Sequence, residues 1–141
     1  NMTQAQYEDL FKSCTNKVRG DFSPSYANKT EYIERIYRYV PNAKIILLLR
    51  NPIDALYSGY LHEKRSGNRL PPFVAWAEEQ YPASDYKYDR ILTDLEPFQV
   101  HVDFYERAVS DTRAFLSDLY TFLGVDIGFE SASMNELHNV R

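Results

Sequence analysis

The segment Lys44-Ile45-Ile46-Leu47-Leu48-Leu49-Arg50-Asn51-Pro52 decides the fold of this chain. Its five consecutive aliphatic residues are too few for a typical helix. Their continuous apolar character predicts a strand over residues 44–49 that is buried on both faces of a parallel sheet. Asn51 can cap a following helix, and Pro52 suits the first helical position, where no N–H is needed. We therefore predict a buried strand that passes directly into a helix over residues 52–63.

The predicted helix has an apolar and a polar side. Five residues follow the spacing of one apolar face: Ile53, Leu56, Tyr57, Tyr60 and Leu61. Ser58 lies opposite, two turns or about 10 Å beyond Asn51. Arg50 and the Ser58 hydroxyl can therefore converge on one anion, since a guanidinium matches two phosphate oxygens and parallel strands end where α/β sheets bind nucleotides. By spacing alone, a solvated arginine and an exposed serine are the simpler interpretation.

The segment from Ala43 to Tyr60 also resembles the 3′-phosphate-binding segment of sulfotransferases that use the donor PAPS (3′-phosphoadenosine 5′-phosphosulfate). In that family an arginine of an Arg-Asn-Pro or Arg-Asp-Pro element and a later serine hold the donor's 3′-phosphate. The matching residues here are Arg50 and Ser58. The resemblance implies sulfuryl transfer from PAPS to a hydroxyl or amine of an acceptor, with PAP as product and no required metal.

Other segments agree with this resemblance in order and distance. Gly20-Asp21-Phe22-Ser23-Pro24-Ser25-Tyr26 is similar to the Gly-Glu-(Lys or Ala)-Ser/Thr-Pro-x-Tyr element of bacterial and heparan-type members. Residues 100–106 and Phe122-Leu123-Gly124-Val125 resemble their late strand, with its trailing acidic residue, and the helix that ends in Phe-Leu-Gly. Phe22 stands where heparan-type members carry a lysine, so the role of that lysine is not transferred. We expect Glu106 to close its strand.

The resemblance implies an α/β fold, a P-loop-like three-layer sandwich around a central parallel sheet. Relatives also carry a glycine- and lysine-containing loop that cradles the 5′-phosphosulfate, and no such loop occurs between Asn1 and Gly20. A second glycine-containing loop would lie beyond Arg141. We therefore expect residues 1–141 to be a partial sulfotransferase domain that lacks the N-terminal strand-loop-helix and the C-terminal loop, and that is inactive by itself.

The remaining pattern alternates between helices and strands, which is typical of parallel α/β sheets. Apolar periodicity and capping residues predict helices over residues 4–14, 30–40, 73–80, 88–95 and 111–123, and strands over residues 17–22 and 98–104. In the first helix, Cys14 recurs in phase with Tyr7, Leu10 and Phe11, which predicts a small core residue.

Composition limits the function classes. The chain is 44% hydrophobic and 15% aromatic, as in globular domains. Its net charge of −4 argues against a nucleic-acid binder. Its single cysteine excludes an internal disulfide, and no run approaches the length of a transmembrane span. The basic cluster of Lys64, Arg65 and Arg69 is either a solvated loop or a contact for an anionic acceptor such as a sulfated or uronic-acid glycan.

Other functions stay open at this point. One alternative is a nucleotide-binding enzyme of another kind, such as a small-molecule kinase, and another is a non-catalytic α/β interaction module. His62 follows Ser58 by one turn and could approach the nucleotide or the acceptor, but a plain surface residue is the commoner interpretation, so the catalytic base is unassigned. The acceptor and the oligomeric state are open too. The compartment would be the cytoplasm for a bacterial protein and the Golgi lumen for a eukaryotic glycan-modifying enzyme.

Overall fold

The computed structural model describes residues 3–13, 17–81 and 88–130 of the 141-residue chain. Its elements, in chain order, are α1 (Gln4–Asp9), a 3-10 helix (Pro24–Asn28), α2 (Thr30–Tyr39), β1 (Lys44–Leu49), α3 (Pro52–Arg65), α4 (Phe73–Gln80), α5 (Tyr88–Asp94), β2 (Gln99–Phe104), α6 (Tyr105–Ser110) and α7 (Thr112–Leu123). The predicted bounds of β1 and α4 are confirmed residue for residue. None of the described helices is long and apolar enough to cross a membrane.

The two strands form a parallel pair in which Lys44 lies opposite Gln99 and Leu49 lies opposite Phe104. Both strands therefore end at the same edge of the sheet. Three helices, α3, α4 and α5, separate the strands along the chain, as a parallel connection requires. The structure confirms the predicted α/β fold with a parallel sheet.

The core lies on one face of this sheet. Ile33 of α2 packs with Ile91 and Leu95, and all three side chains are buried. Ile45 and Leu47 of β1, with Val100 of β2, pack against this cluster. Alternate strand residues share one face, so the odd-numbered residues of β1 contact the core.

The prediction that β1 is buried on both faces is wrong for the part of the chain that the structure describes. Ile46 and Leu48 keep 44% and 45% of their surface exposed. On their side of the sheet α7 covers β2, where the rings of Phe122 and His101 lie 5.3 Å apart. The continuous apolar run therefore indicates a strand, but the placement of α7 decides which strand residues are covered.

The start of the chain also departs from the prediction. The capping box of Thr3 and Gln6 begins α1 as expected, yet the helix ends at Asp9 instead of residue 14. Leu10 is 61% exposed, so it adds little burial that would extend a helix too short to be stable on its own. Cys14 lies outside the described residues. No strand forms over residues 17–22, which the structure describes.

The end of β2 differs as well. Glu106 does not close the strand, which ends at Phe104, but lies in the first turn of the unpredicted helix α6. The next helix follows the prediction closely. The Asp111 side chain accepts the Ala114 N–H, and Gly124 ends α7 in the left-handed conformation at φ 75°, where a glycine avoids the steric cost of a side chain.

Candidate functional site

The turn from β1 to α3 is capped as the sequence predicts. The Asn51 side-chain oxygen accepts the N–H groups of Ile53 at 2.9 Å and of Asp54 at 3.5 Å. Pro52 occupies the first helical position. The N-terminus of α3 is thereby fixed directly at the carboxyl edge of the sheet.

The buried face of α3 is rotated from the predicted one. Its buried residues are Ala55, Leu56 and Tyr60, whereas Ile53 is 68% exposed. Tyr60, which the prediction placed on the apolar face, packs against Trp76 of α4 at 5.5 Å between ring centroids. Its hydroxyl also donates to the Pro71 carbonyl at 3.0 Å.

Ser58 lies within α3 and is half-buried, while His62, one turn later, is exposed. The structure thus confirms the helical placement of both residues. The convergence of Ser58 with Arg50 on one anion stays a prediction.

The backbone of Arg50 is held by a tyrosine that the sequence did not single out. The Tyr88 hydroxyl donates to the Arg50 carbonyl at 2.8 Å, and it accepts the Arg50 N–H at 3.3 Å. Tyr88 itself packs against the core cluster. The residue after β1 is therefore anchored to α5, a contact that only the tertiary structure brings together.

The Arg50 side chain lies over an aromatic ring. Its guanidinium carbon is 4.9 Å from the centroid of the Tyr105 ring, a cation–π distance. The Nε atom is buried and has no hydrogen-bond partner in the described part of the chain. A buried polar donor without a partner is costly unless something else pairs with it. This arrangement leaves a cation with unused donor capacity at the sheet edge.

Glu106 links the two strand ends. Its carboxylate accepts the Asn51 N–H at 3.0 Å. The pKa of Glu106 lies below its ordinary value because this N–H and its own backbone N–H donate to the carboxylate, and the positive charge of Arg50 adds to the effect. Glu106 is therefore ionised at neutral pH and acts as a hydrogen-bond acceptor.

A second charged cluster lies on the face of β2 that α7 covers. Arg107 pairs with Asp103 and with Asp118, which joins β2, α6 and α7. Burial alone would raise the pKa of Asp103, but the Phe104 N–H and Arg107 outweigh it, so that pKa is lowered. Both carboxylates satisfy the guanidinium, which gives this cluster a structural role.

The segment around Asp21 forms a third polar cluster. One carboxylate oxygen of Asp21 accepts the hydroxyl of Tyr26 at 2.6 Å and that of Tyr7 at 3.4 Å. The hydrogen bond to Asp21 is the main reason that the pKa of Tyr26 is raised to about 12. Both hydroxyls therefore act as donors that tie α1 to the 3-10 helix.

One cleft beside the sheet edge offers few polar groups. An open cleft between the start of α3 and the end of α4 is mostly apolar. It is lined by Asn51, Pro52, Ile53, Leu56, Ala77, Glu78 and Tyr81. Within residues 3–13, 17–81 and 88–130, no three His, Cys, Asp or Glu side chains lie close enough to hold a metal ion.

Sequence reasoning missed Tyr88 and Tyr105 as neighbours of Arg50. For Tyr105 a signal was present, because it directly follows β2 as Arg50 directly follows β1. Parallel strands that end in register bring such residues side by side. For Tyr88 no sequence signal existed, since its contact depends on the packing of α5.

Comparisons with known proteins agree with this architecture. The family model described as the sulfotransferase family matches residues 2–130. A solved structure described as a sulfotransferase from Alicyclobacillus acidocaldarius is 28% identical, with a TM-score of 0.70. The match covers 94% of this chain but 62% of that protein. No curated protein sequence matches the chain.

Proposed function

This chain belongs to the sulfotransferase family, and we propose that the protein transfers a sulfuryl group from PAPS to a hydroxyl or amine of an acceptor. In this proposal Arg50 and Ser58 hold the 3′-phosphate of the donor. The observation that carries the proposal is the Arg50 guanidinium, which lies at the joint end of two parallel strands with a buried Nε that has no partner among the described residues.

The residues at the sheet edge suit a phosphate group. The guanidinium offers several donors in one plane, which match two phosphate oxygens at once. Ser58 can add a hydroxyl donor from α3, and the N-terminus of α3 carries partial positive charge toward the same edge. When bound, PAPS supplies the sulfuryl group and leaves as PAP, while these side chains bind and orient its 3′-phosphate.

A basic cluster at the end of α3 is a candidate contact for the acceptor. Lys64 and Arg65 are exposed in the last turn of α3, and Arg69 is exposed in the loop that follows. We propose that this basic cluster contacts an anionic acceptor such as a sulfated or uronic-acid glycan. Transfer to an anionic and to an uncharged oligosaccharide would test this part, because only the anionic acceptor should respond to Lys64→Ala with Arg65→Ala.

Ligand-dependent thermal stability tests the donor site. We expect 3′,5′-ADP to raise the melting temperature of the protein, because a ligand that binds only the native state stabilises it. Arg50→Ala should abolish this rise, and Ser58→Ala should weaken binding about tenfold, since one hydrogen bond to a charged group is lost. Arg38→Ala, an exposed arginine at the end of α2, is the matched control and should keep the full rise.

The same experiment separates the alternatives. An undiminished rise in Arg50→Ala would refute the assignment of the site. A wild-type protein that 3′,5′-ADP leaves unchanged, while magnesium and ATP stabilise it, would favour the kinase-like alternative. A protein that neither nucleotide stabilises would favour a non-catalytic interaction module.

A further inference from the structure

We propose that Tyr105 and Glu106, the first two residues after β2, are positioning residues that hold Arg50 and Asn51 in the conformation that binds phosphate. This inference rests on the proposed function and assigns a role to residues outside the pair Arg50 and Ser58. It follows from three features: the strand register, the nature of the contact to Arg50, and the hydrogen bond to Asn51.

The register places the two strand ends side by side. Leu49 and Phe104 are partners in the parallel pair, so Arg50 and Tyr105 follow at equivalent positions. Neighbouring strands lie about 4.8 Å apart, and the Arg50 guanidinium lies 4.9 Å from the Tyr105 ring centroid. The pairing of β1 with β2 therefore brings the two side chains within reach of each other.

An aromatic ring holds a cation differently from a carboxylate. The face of the Tyr105 ring attracts the guanidinium through its π-electrons and accepts none of its N–H groups in the plane of the fork. A carboxylate in the same place would occupy those donors, as Asp103 and Asp118 do for Arg107. Tyr105 thus restricts Arg50 and leaves its donors available for an incoming anion.

The carboxylate that is present near Arg50 bonds elsewhere. Glu106 accepts the Asn51 N–H, while the Asn51 side chain caps α3. Glu106 therefore ties the end of β2 to the turn that carries Arg50. Its negative charge opposes the binding of a phosphate, so its benefit must come from fixing the turn.

Paired ligands distinguish positioning from general stability. The ratio of the dissociation constants of 5′-AMP and 3′,5′-ADP isolates the contribution of the 3′-phosphate. We expect Tyr105→Leu to weaken 3′,5′-ADP binding about fivefold, because the loss of a cation–π contact frees the guanidinium. The affinity for 5′-AMP should not change. Tyr105→Phe keeps the ring and should show the wild-type ratio of the two dissociation constants. Tyr39→Leu, on the exposed end of α2, is the matched control and should also keep the wild-type ratio.

Glu106 calls for a second pair of variants. Glu106→Gln keeps an acceptor for the Asn51 N–H and removes the charge, so 3′,5′-ADP should bind as in wild type or more tightly. Glu106→Ala removes both and should weaken binding several-fold. Tighter binding in both variants would show that charge alone matters and would refute the positioning role of Glu106.

The outcomes separate this inference from the function on which it rests. If Arg50→Ala abolishes 3′,5′-ADP binding while Tyr105→Leu leaves the ratio unchanged, the site stands and the role of Tyr105 is refuted. If Tyr105→Leu weakens both ligands equally and lowers the melting temperature, Tyr105 is merely structural and the inference is again refuted. If Arg50→Ala binds 3′,5′-ADP normally, the proposed function itself fails.

Discussion

Two arginines near the two strand ends show how the same side chain serves different purposes. Arg107, in α6, pairs with Asp103 and Asp118 on one side of the sheet. Arg50, directly after β1, lies over the Tyr105 ring and makes no ion pair with any described residue. A guanidinium whose donors are occupied stabilises the protein, whereas one whose donors remain unused can bind an anion.

The largest effect on stability is expected from the removal of Asp103, which is only 5% exposed. Asp103→Ala leaves the Phe104 N–H without its acceptor and deprives Arg107 of one partner. We expect a loss of about 2–3 kcal/mol in the free energy of unfolding, since two part-buried donors would lose a charged acceptor. Urea denaturation measures it, and a loss as small as that of a surface substitution would contradict the assigned role of the cluster.

A smaller and pH-dependent effect is expected for Asp103→Asn, which keeps the shape and one acceptor. The folded pKa of Asp103 lies below its ordinary value of 3.8. Its ionised form therefore stabilises the protein above that value, and this contribution is lost as the pH falls below it. At pH 7 the free energy of unfolding of the wild type should be about 1 kcal/mol higher than that of the variant. This difference should shrink below about pH 4. Denaturation curves across this range test the prediction, and a constant difference would contradict it.

Asp118→Asn should change stability still less. The Asp118 side chain is 55% exposed, so water screens its pairing with Arg107. We expect a loss below about 1 kcal/mol, as for other exposed ion pairs. The same urea experiment measures it, and added salt should reduce the difference further. A loss of free energy of unfolding equal to that of Asp103→Ala would contradict this prediction and would show that Asp103 and Asp118, the two partners of Arg107, contribute equally to stability.

The smallest effect on stability is expected at the other arginine. Arg50→Ala removes a cation–π contact but also a buried donor that lacks a partner, and these changes oppose each other. Without ligand, the free energy of unfolding should change by no more than about 0.5 kcal/mol. A loss comparable to that of Asp103→Ala would show that Arg50 is structural and would remove the contrast between the two arginines.

Local sequence signals predicted the elements around the site well. The aliphatic run, the Asn51 cap and Pro52 together predicted β1 and the start of α3, because caps and strand patterns depend on neighbouring residues alone. The predicted strand over residues 17–22 and the long first helix were wrong. Short elements of this kind need a packing partner, and no local pattern reports one.

The sequence by itself determined the strand, the turn and the helix that carry Arg50, together with the resemblance that predicts a phosphate for it to bind. Only the tertiary structure decided that Tyr88 anchors Arg50, that Tyr105 lies beneath it and that Glu106 bonds to Asn51. These residues are 38, 55 and 55 positions from their partners. Contacts over such separations arise from strand register and helix packing, which the whole fold sets.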